Sequence, residues 1–363
     1  MFQRLFTPLG LMLDRHFSLS KPRLVTLSVL LVGLSNCRTV NLSHLASQFP
    51  GSAQTSSNYR RLQRFFHKVT LDGDAVAQLV LAMLKLRGPI MLALDRTNWK
   101  LGRKDINVLT LAIVTKRFRV PLMWTLLDHR GNSNSEQRIA LMQRYLDLFG
   151  SSSIKFLLAD REFRGWRWME FLNENNVPFI IRLPTKMQLY LEDGSLRCLQ
   201  SLLRKHPKGQ WSGWLKSMAQ TENNKLYFQA KTIKGGELLI VATNKDCKGK
   251  ALTLYKKRWA IECLFGDTKT RGFNMEDTHM TDKGKLATLL AIIALAITWV
   301  YRCASISMGT KAIPSKAHGR KQKSWFRTGL DKLRNWILYK PDKAIEAWQK
   351  DFPKRKLKTK KDI

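Results

Sequence analysis

Over the first 85 or so residues apolar side chains recur at helical intervals, and no stretch alternates as a half-buried strand would, so this part reads as all-α. Two of its helical patterns, Asn41–Phe49 and Ser56–Lys68, are separated by Pro50-Gly51 and small polar residues. The second sets Tyr59, Arg60, Arg61, Arg64 and Lys68 on a frame of Leu62, Phe65 and Phe66. The pattern then changes. Pro89–Asp95 is a short apolar run that stops at a carboxylate, and Ile106–Lys116 and Val120–Leu127 are β-rich stretches joined by a basic turn, Arg117-Phe118-Arg119. Ser135–Phe149 is helical, Ile154–Asp160 is a second apolar run stopping at aspartate, Gly165–Asn176 is helical, and Phe179–Leu183 is again a strand.

From Pro184 to Gly236 that order is interrupted. Short alternating runs at Met187–Leu191, Lys225–Thr232 and Glu237–Thr243 surround Trp211-Ser-Gly-Trp214 and the basic stretch Arg204–Lys208, which predicts a β-rich insertion over 185–235. Leu286–Tyr301 is a strongly apolar helix expected to pack behind the sheet, Trp325–Leu338 is a further helix, and Pro353–Ile363 reads as a flexible basic tail. The organisation expected is therefore a helical region over 1–85, an α/β domain over 86–310 that contains the insertion, and a basic C-terminal region over 311–363. Three strands, helix, strand, helix, strand is the order of a ribonuclease-H-like mixed sheet.

Charge narrows the partners. The 363 residues carry 63 Lys and Arg against 27 Asp and Glu, a net charge of +36. A charge of that sign and size calls for a polyanion, nucleic acid first and an anionic membrane surface second. The runs Leu24–Leu34 and Leu286–Tyr301 are shorter than the roughly 20 residues a membrane span needs, so both are expected to be buried core helices. The N-terminus lacks the apolar core and cleavage site of a signal peptide. Five scattered cysteines form no CxxC pair, which argues against a zinc site or a disulfide framework and fits a reducing cytoplasm.

Candidate chemistry centres on Tyr255–Lys269, read as one helix. At about 100° per residue, Tyr255, Arg258, Glu262 and Lys269 fall within a stripe roughly 60° wide. Glu262 can ligate a divalent cation through oxygen, with Arg258 and Lys269 holding phosphate beside it; the plain alternative is a solvated charged face. Upstream, Asp95 and Asp160 each end an apolar run, separated by 65 residues (160 − 95). Strand ends are where a sheet presents side chains together, although a lone aspartate there is commonly a turn or helix cap. Glu162 is expected to cap or to pair with Arg161 or Arg164, and Ser135 to cap the helix that follows Gly131–Ser135.

The spacing Tyr255-x2-Arg258-x3-Glu262-x6-Lys269 resembles the YREK signature of a large family of bacterial insertion-sequence transposases. The contexts Leu94-Asp95-Arg96-Thr97-Asn98-Trp99 and Asp160-Arg161-Glu162-Phe163 extend the resemblance, which spans about Leu42 to Lys332. It implies an Asp-Asp-Glu triad of Asp95, Asp160 and Glu262 on a ribonuclease-H-like fold, holding two Mg²⁺ or Mn²⁺ ions. It implies DNA cleavage and strand transfer in cut-and-paste transposition, by way of a hairpin, with Tyr255, Arg258 and Lys269 placing the terminal phosphates. The partners implied are the element's terminal inverted repeats and target DNA, with two ends synapsed by a homodimer, in a bacterial cytoplasm at the nucleoid and without a membrane role. The helical pair ending in Arg60, Arg61 and Arg64 then reads as a helix-turn-helix for the terminal sequence, or else as a generic basic bundle. Trp211 or Trp214 is a platform for an extruded base, or else core. The alternative readings are a transposase-derived DNA-binding protein that no longer cuts, a general ribonuclease-H-type nuclease and a basic membrane-associated protein.

Overall fold

The computed structural model describes residues 2–101, 103–203 and 208–349. Residues 204–207 of the basic stretch and the tail from Pro353 lie outside them. In chain order five helices come first: α1 (Phe2–Asp14), α2 (Lys21–Cys37), α3 (Leu42–Ala46), α4 (Thr55–Lys68) and α5 (Gly73–Leu84). The α/β part follows, with β1 (Ile90–Leu101), β2 (Lys104–Val114), β3 (Arg119–Leu127), α6 (Ser135–Phe149), β4 (Ile154–Ala159), α7 (Trp166–Glu174) and β5 (Phe179–Leu183). Then come β6 (Gln188–Leu191), β7 (Leu196–Cys198), β8 (Lys208–Leu215), β9 (Leu226–Thr232) and β10 (Leu238–Thr243). The chain closes with α8 (Ala251–Tyr255), α9 (Trp259–Thr268), α10 (Lys283–Met308), α11 (Trp325–Tyr339) and α12 (Pro341–Gln349). These elements cluster into two compact units, one of Met1–Leu86, Lys100–Lys104 and Phe265–Ile363, the other of Arg87–Trp99 and Asp105–Leu264.

The second unit is built on one ten-stranded mixed sheet ordered β3-β2-β1-β4-β5-β10-β9-β8-β6-β7. Its centre is parallel: β1 pairs with β4, and β4 with β5. Where they pair, those strands are apolar without alternation, as Leu92-Ala-Leu94 and Leu157-Leu-Ala159 are, because both faces are covered, and these two runs are fully buried. In β9 burial alternates along Leu226–Lys231, the mark of a strand covered on one face. The expected insertion is therefore not a separate lobe. Its strands β6 to β9 continue the central sheet through β10, each pairing antiparallel with its neighbour.

Sequence and structure part at β1. The run expected to stop at Asp95 continues to Leu101, because β1 leaves β4 after Leu94↔Ala159 while β2 remains its other neighbour in the sheet. Asp95 lies where one neighbour ends and the other carries on. Ile154–Ala159 does end as expected, and Asp160 caps a 3₁₀ turn, Arg161–Phe163. The cap of α6 is Asn134, not Ser135, in a reciprocal pairing with Gln137.

In the helical unit α10 packs against α2, α5, α11 and α12; its neighbours are helices, where the sequence suggested the back of a sheet. At 26 residues it outruns the apolar stretch and is the one described helix long and apolar enough to cross a membrane, yet 89% of its apolar window is buried in this unit. Its buried arginine is used internally. The guanidinium of Arg302, fully buried, donates to Ala347 O and Met83 O, each at 2.6 Å. Both carbonyls lie in the last turns of helices, α12 and α5, where four carbonyls lack intrahelical donors and a cation is favoured. Gly329 on α11 lies so close to α10 that a Cβ there would meet Val300 O at 2.0 Å.

Candidate active site

The site begins with sheet register. Leu94 and Ala159 are paired on adjacent parallel strands, so the next residues, Asp95 within β1 and Asp160 just past the end of β4, lie side by side where the two strands part. In each carboxylate one oxygen is fixed by the following backbone amide: Arg96 N–H donates to Asp95 Oδ1 at 2.8 Å, and Arg161 N–H to Asp160 Oδ1 at 2.7 Å. The other oxygen of each, Oδ2, is turned toward Arg258.

Opposite them comes the signature segment, which is not one uninterrupted helix. α8 packs on β5, β9 and β10, then a 3₁₀ turn over Lys256–Arg258 contacts β4 before α9 begins. A 3₁₀ turn eclipses positions three apart, so Tyr255 and Arg258 align, with the Arg258 guanidinium carbon 5.8 Å from the Tyr255 ring centre. Arg258 and Glu262 are then one α-helical turn apart.

Arg258 stands among all three carboxylates. Its Nη1 donates to Asp95 Oδ2 at 3.0 Å, its Nη2 donates to Glu262 Oε1 at 2.5 Å, and the same nitrogen lies 3.9 Å from Asp160 Oδ2. The Tyr255 hydroxyl donates to Asp160 Oδ1 at 3.4 Å. Exposure grades across the site: the side chains of Arg258 and Asp95 are 11% and 16% exposed and that of Glu262 is 35%. Asp95 and Arg258 form the floor, and Glu262 the rim.

Three carboxylates and one guanidinium leave the site net negative, and the acid at the floor feels it. Burial, helped by the charges of Asp160 and Glu262, raises Asp95 to about 6 against the pull of the Arg96 amide and Arg258. Burial also raises Tyr255 and keeps its phenol a donor. For Arg258 burial disfavours the charge, yet Tyr255, Asp160, Asp95 and Glu262 together raise it above its ordinary value.

The shift at Asp95 has a testable sign. Its folded value lies above the unfolded 3.8, so between pH 4 and 6 the folded state binds the extra proton, and stability falls as pH rises through that window. Asp95→Asn is therefore expected to raise the stability of the cation-free protein at pH 7.5 by about 1–3 kcal/mol, and to leave it unchanged near pH 4. Thermal melts at the two pH values check this; equal melting temperatures at pH 7.5 would remove the buried-charge penalty.

As they stand, no three acidic, His or Cys side chains among the described residues are grouped to hold a metal ion. The donor set nevertheless suits one. Three carboxylates, the hard ligands that Mg²⁺ and Mn²⁺ prefer, surround the guanidinium together with the Tyr255 hydroxyl, and Arg258 occupies the point of convergence as a stand-in cation. A divalent ion would take the carboxylate oxygens as the guanidinium moved aside.

The other candidates divide. Lys269 pairs with Glu276 at 2.9 Å. Arg60 and Arg64 are exposed on α4, but Arg61 turns inward: it donates to Thr26 Oγ1 at 3.1 Å and Pro22 O at 2.9 Å and stacks over Phe49. Trp214 is tied down too, donating to Thr221 O at 2.7 Å under Lys225. Trp211 is half-buried and lines a cavity with Tyr227, Gln229 and Asp246. Three features escaped sequence reading. Trp259, beside Arg258, is 63% exposed, Glu162 pairs with Arg96, and Asn107 holds the turn before α6 through His129 O and Gly131 O. For Trp259 a signal was there, an aromatic next to the signature arginine; for the other two the partners are too distant in sequence.

The mixed sheet thus sets two aspartates side by side, and a later helix brings a glutamate to the same guanidinium. Residues 86–299 match the family model described as Transposase DDE domain, and the chain belongs to that family. Among solved structures it is similar to the piggyBac transposase in a synaptic complex with hairpin DNA, at 9% identity and a TM-score of 0.47, over 98% of this chain and 80% of that one. No curated protein matches the chain.

Proposed function

We propose that the chain is a bacterial insertion-sequence transposase of the YREK-signature kind. On this reading its sheet is a ribonuclease-H-like core, and Asp95, Asp160 and Glu262 are its catalytic triad. The observation that carries it is the meeting of three carboxylates, scattered over 167 positions (262 − 95), around the single guanidinium of Arg258. These three would hold two Mg²⁺ or Mn²⁺ ions, which when bound supply activation of the attacking oxygen and neutralisation of the leaving one.

The chain's own residues do the rest. Asp95 and Asp160 each present one oxygen, the other being held by backbone, and Tyr255 keeps Asp160 oriented from below. Arg258, once released from the carboxylates, presents a planar fork to the phosphate of the terminal nucleotide. Lys269 adds a second charge to the DNA end. Trp211 offers a ring for an extruded base, a contact of about 1–3 kcal/mol. Arg60 and Arg64 on α4 meet the phosphates of the terminal repeat. Cleavage at the element's end frees a 3′-hydroxyl, which attacks the opposite strand to form a hairpin; after reopening, the hydroxyl joins target DNA. A homodimer holds the two ends.

The test is incubation of the whole protein with DNA carrying the element's end. Mg²⁺-dependent nicks at the end and a hairpin product, both absent with EDTA, are expected. Binding without any cut would mark a transposase-derived DNA-binding protein, and cutting of DNA lacking the ends a general nuclease; either outcome contradicts the proposal.

A further inference from the structure

Beside Asp95 and Asp160 lies a second polar cluster. Arg96, the residue after Asp95, grips Glu162, two residues after Asp160. Its Nε donates to Glu162 Oε1 at 3.1 Å and its Nη2 to Glu162 Oε2 at 3.4 Å. The remaining donors reach Asn107 Oδ1 at 3.1 Å and Asn132 Oδ1 at 3.4 Å. Glu162 Oε1 also accepts from Ser133 N–H at 3.2 Å, and Arg138 holds that serine by donating to its Oγ at 2.9 Å. Both members of the ion pair are largely buried, 16% and 18% exposed. Arg96 is thus surrounded by acceptors of the protein's own, and the pair is two-pronged, the geometry in which a guanidinium fixes a carboxylate in place.

Position gives the pair its meaning. The sheet holds β1 to β4 only as far as Leu94↔Ala159, so from Asp95 and Asp160 onward no backbone ladder joins the rest of β1 to the turn that follows β4. Each aspartate is aimed by the amide that follows it, Arg96 N–H for Asp95 and Arg161 N–H for Asp160. Arg96 supplies the first of these amides. Glu162 sits in the 3₁₀ turn whose first amide is the second. A tether between the Arg96 and Glu162 side chains therefore locks the two peptide groups together where the β1–β4 ladder ends. Glu162 also neutralises a cation one residue from Asp95, which would otherwise compete for that carboxylate.

We infer that Arg96 and Glu162 are positioning residues. Their ion pair fixes the separation and aim of the Asp95 and Asp160 carboxylates and so sets the site's affinity for a divalent cation, and Arg96 is not a DNA contact. This rests on the reading of Asp95, Asp160 and Glu262 as metal ligands. Partners that orient ligands from behind are worth about 10–100-fold in metal affinity or activity.

The experiment uses the full chain and Mn²⁺ alone as probe. Mn²⁺ affinity is measured by calorimetry, melting temperature in parallel, and single-turnover cleavage at saturating end DNA separately from DNA affinity. Glu162→Gln keeps shape and the Ser133 contact but removes the charge; Arg96→Lys keeps the charge but removes the fork. Each is expected to weaken Mn²⁺ binding about tenfold or more and to slow cleavage comparably, with DNA affinity unchanged and with recovery of rate at high Mn²⁺. The double variant Arg96→Glu, Glu162→Arg is expected to bind Mn²⁺ more tightly than either swap alone. Mn²⁺ affinity within twofold of wild type in both conservative variants would overturn the inference. So would a loss confined to DNA affinity, or a rate loss that excess Mn²⁺ does not relieve. Asp95→Asn separates the two levels: if it abolishes Mn²⁺ binding while Glu162→Gln does not weaken it, only the positioning role falls; if it binds Mn²⁺ like wild type, the ligand assignment itself falls.

Discussion

Asp95→Asn, Asp160→Asn and Glu262→Gln are each expected to lower Mg²⁺-dependent cleavage of the element's end by at least about a thousandfold, equivalent to roughly 4 kcal/mol of barrier. The amides keep the shape of the side chains they replace and remove a charge and a ligand oxygen, so the loss is one of cation binding and not of fold. The three are not equivalent by position. Asp95 is enclosed and Glu262 lies at the rim. Affinity for end DNA is expected to be retained in all three variants, because neutralising one carboxylate makes a chain of net charge +36 slightly more attractive to phosphate. Gel-shift and cleavage assays on the same DNA separate the two quantities. Full cleavage by any one variant would remove that residue from the triad.

Arg258→Ala is expected to act on two levels. Without divalent cations it leaves Asp95, Asp160 and Glu262 facing one another with no countercharge, and removing one partner of a largely buried ion pair destabilises by about 2–4 kcal/mol. At roughly 2–4 °C per kcal/mol, the cation-free melting temperature should fall by several degrees. Millimolar Mg²⁺ or Mn²⁺ should then raise it by more in the variant than in wild type, since the ion supplies the missing charge and no longer displaces a guanidinium. Cleavage and hairpin formation should still be impaired more than DNA binding, the fork that meets the terminal phosphate being gone. An unchanged melting temperature in EDTA, or an equal loss of binding and cleavage, would contradict the arrangement seen at the site.

Much of the α/β core was legible because its signals are local. α6 and β5 have the bounds that apolar period and flanking residues predict, and Ile154–Ala159 ends one residue before its aspartate. What was not legible depends on pairing at a distance. β1 continues through Asp95 because β2 stays beside it after β4 ends, which no feature of Met91–Asp95 reveals. Glu162 was expected to pair with Arg161 or Arg164 by adjacency, but the 3₁₀ turn aims it at Arg96, 66 residues away. Arg61 reads as one more DNA-facing cation on α4; only the approach of α2 makes Thr26 and Pro22 its partners. The meeting of the three carboxylates at Arg258 belongs with these: Arg258 and Asp95 are 163 residues apart, and the sequence could suggest their meeting only through the spacing of the signature and the matching strand contexts.

The continuity of the sheet has a consequence for anyone wishing to trim this chain. Because β9 lies against β10 over its whole length, excising the insertion would lay bare the hydrogen-bonding edge of Leu238–Thr243, a six-residue stretch of Leu, Ile, Val, Ala and Thr with no charge or proline to blunt it. An unprotected strand of that kind recruits another copy of itself, so a shortened enzyme would self-associate through the strand that precedes Glu262, and the insertion serves solubility as much as any grip on DNA.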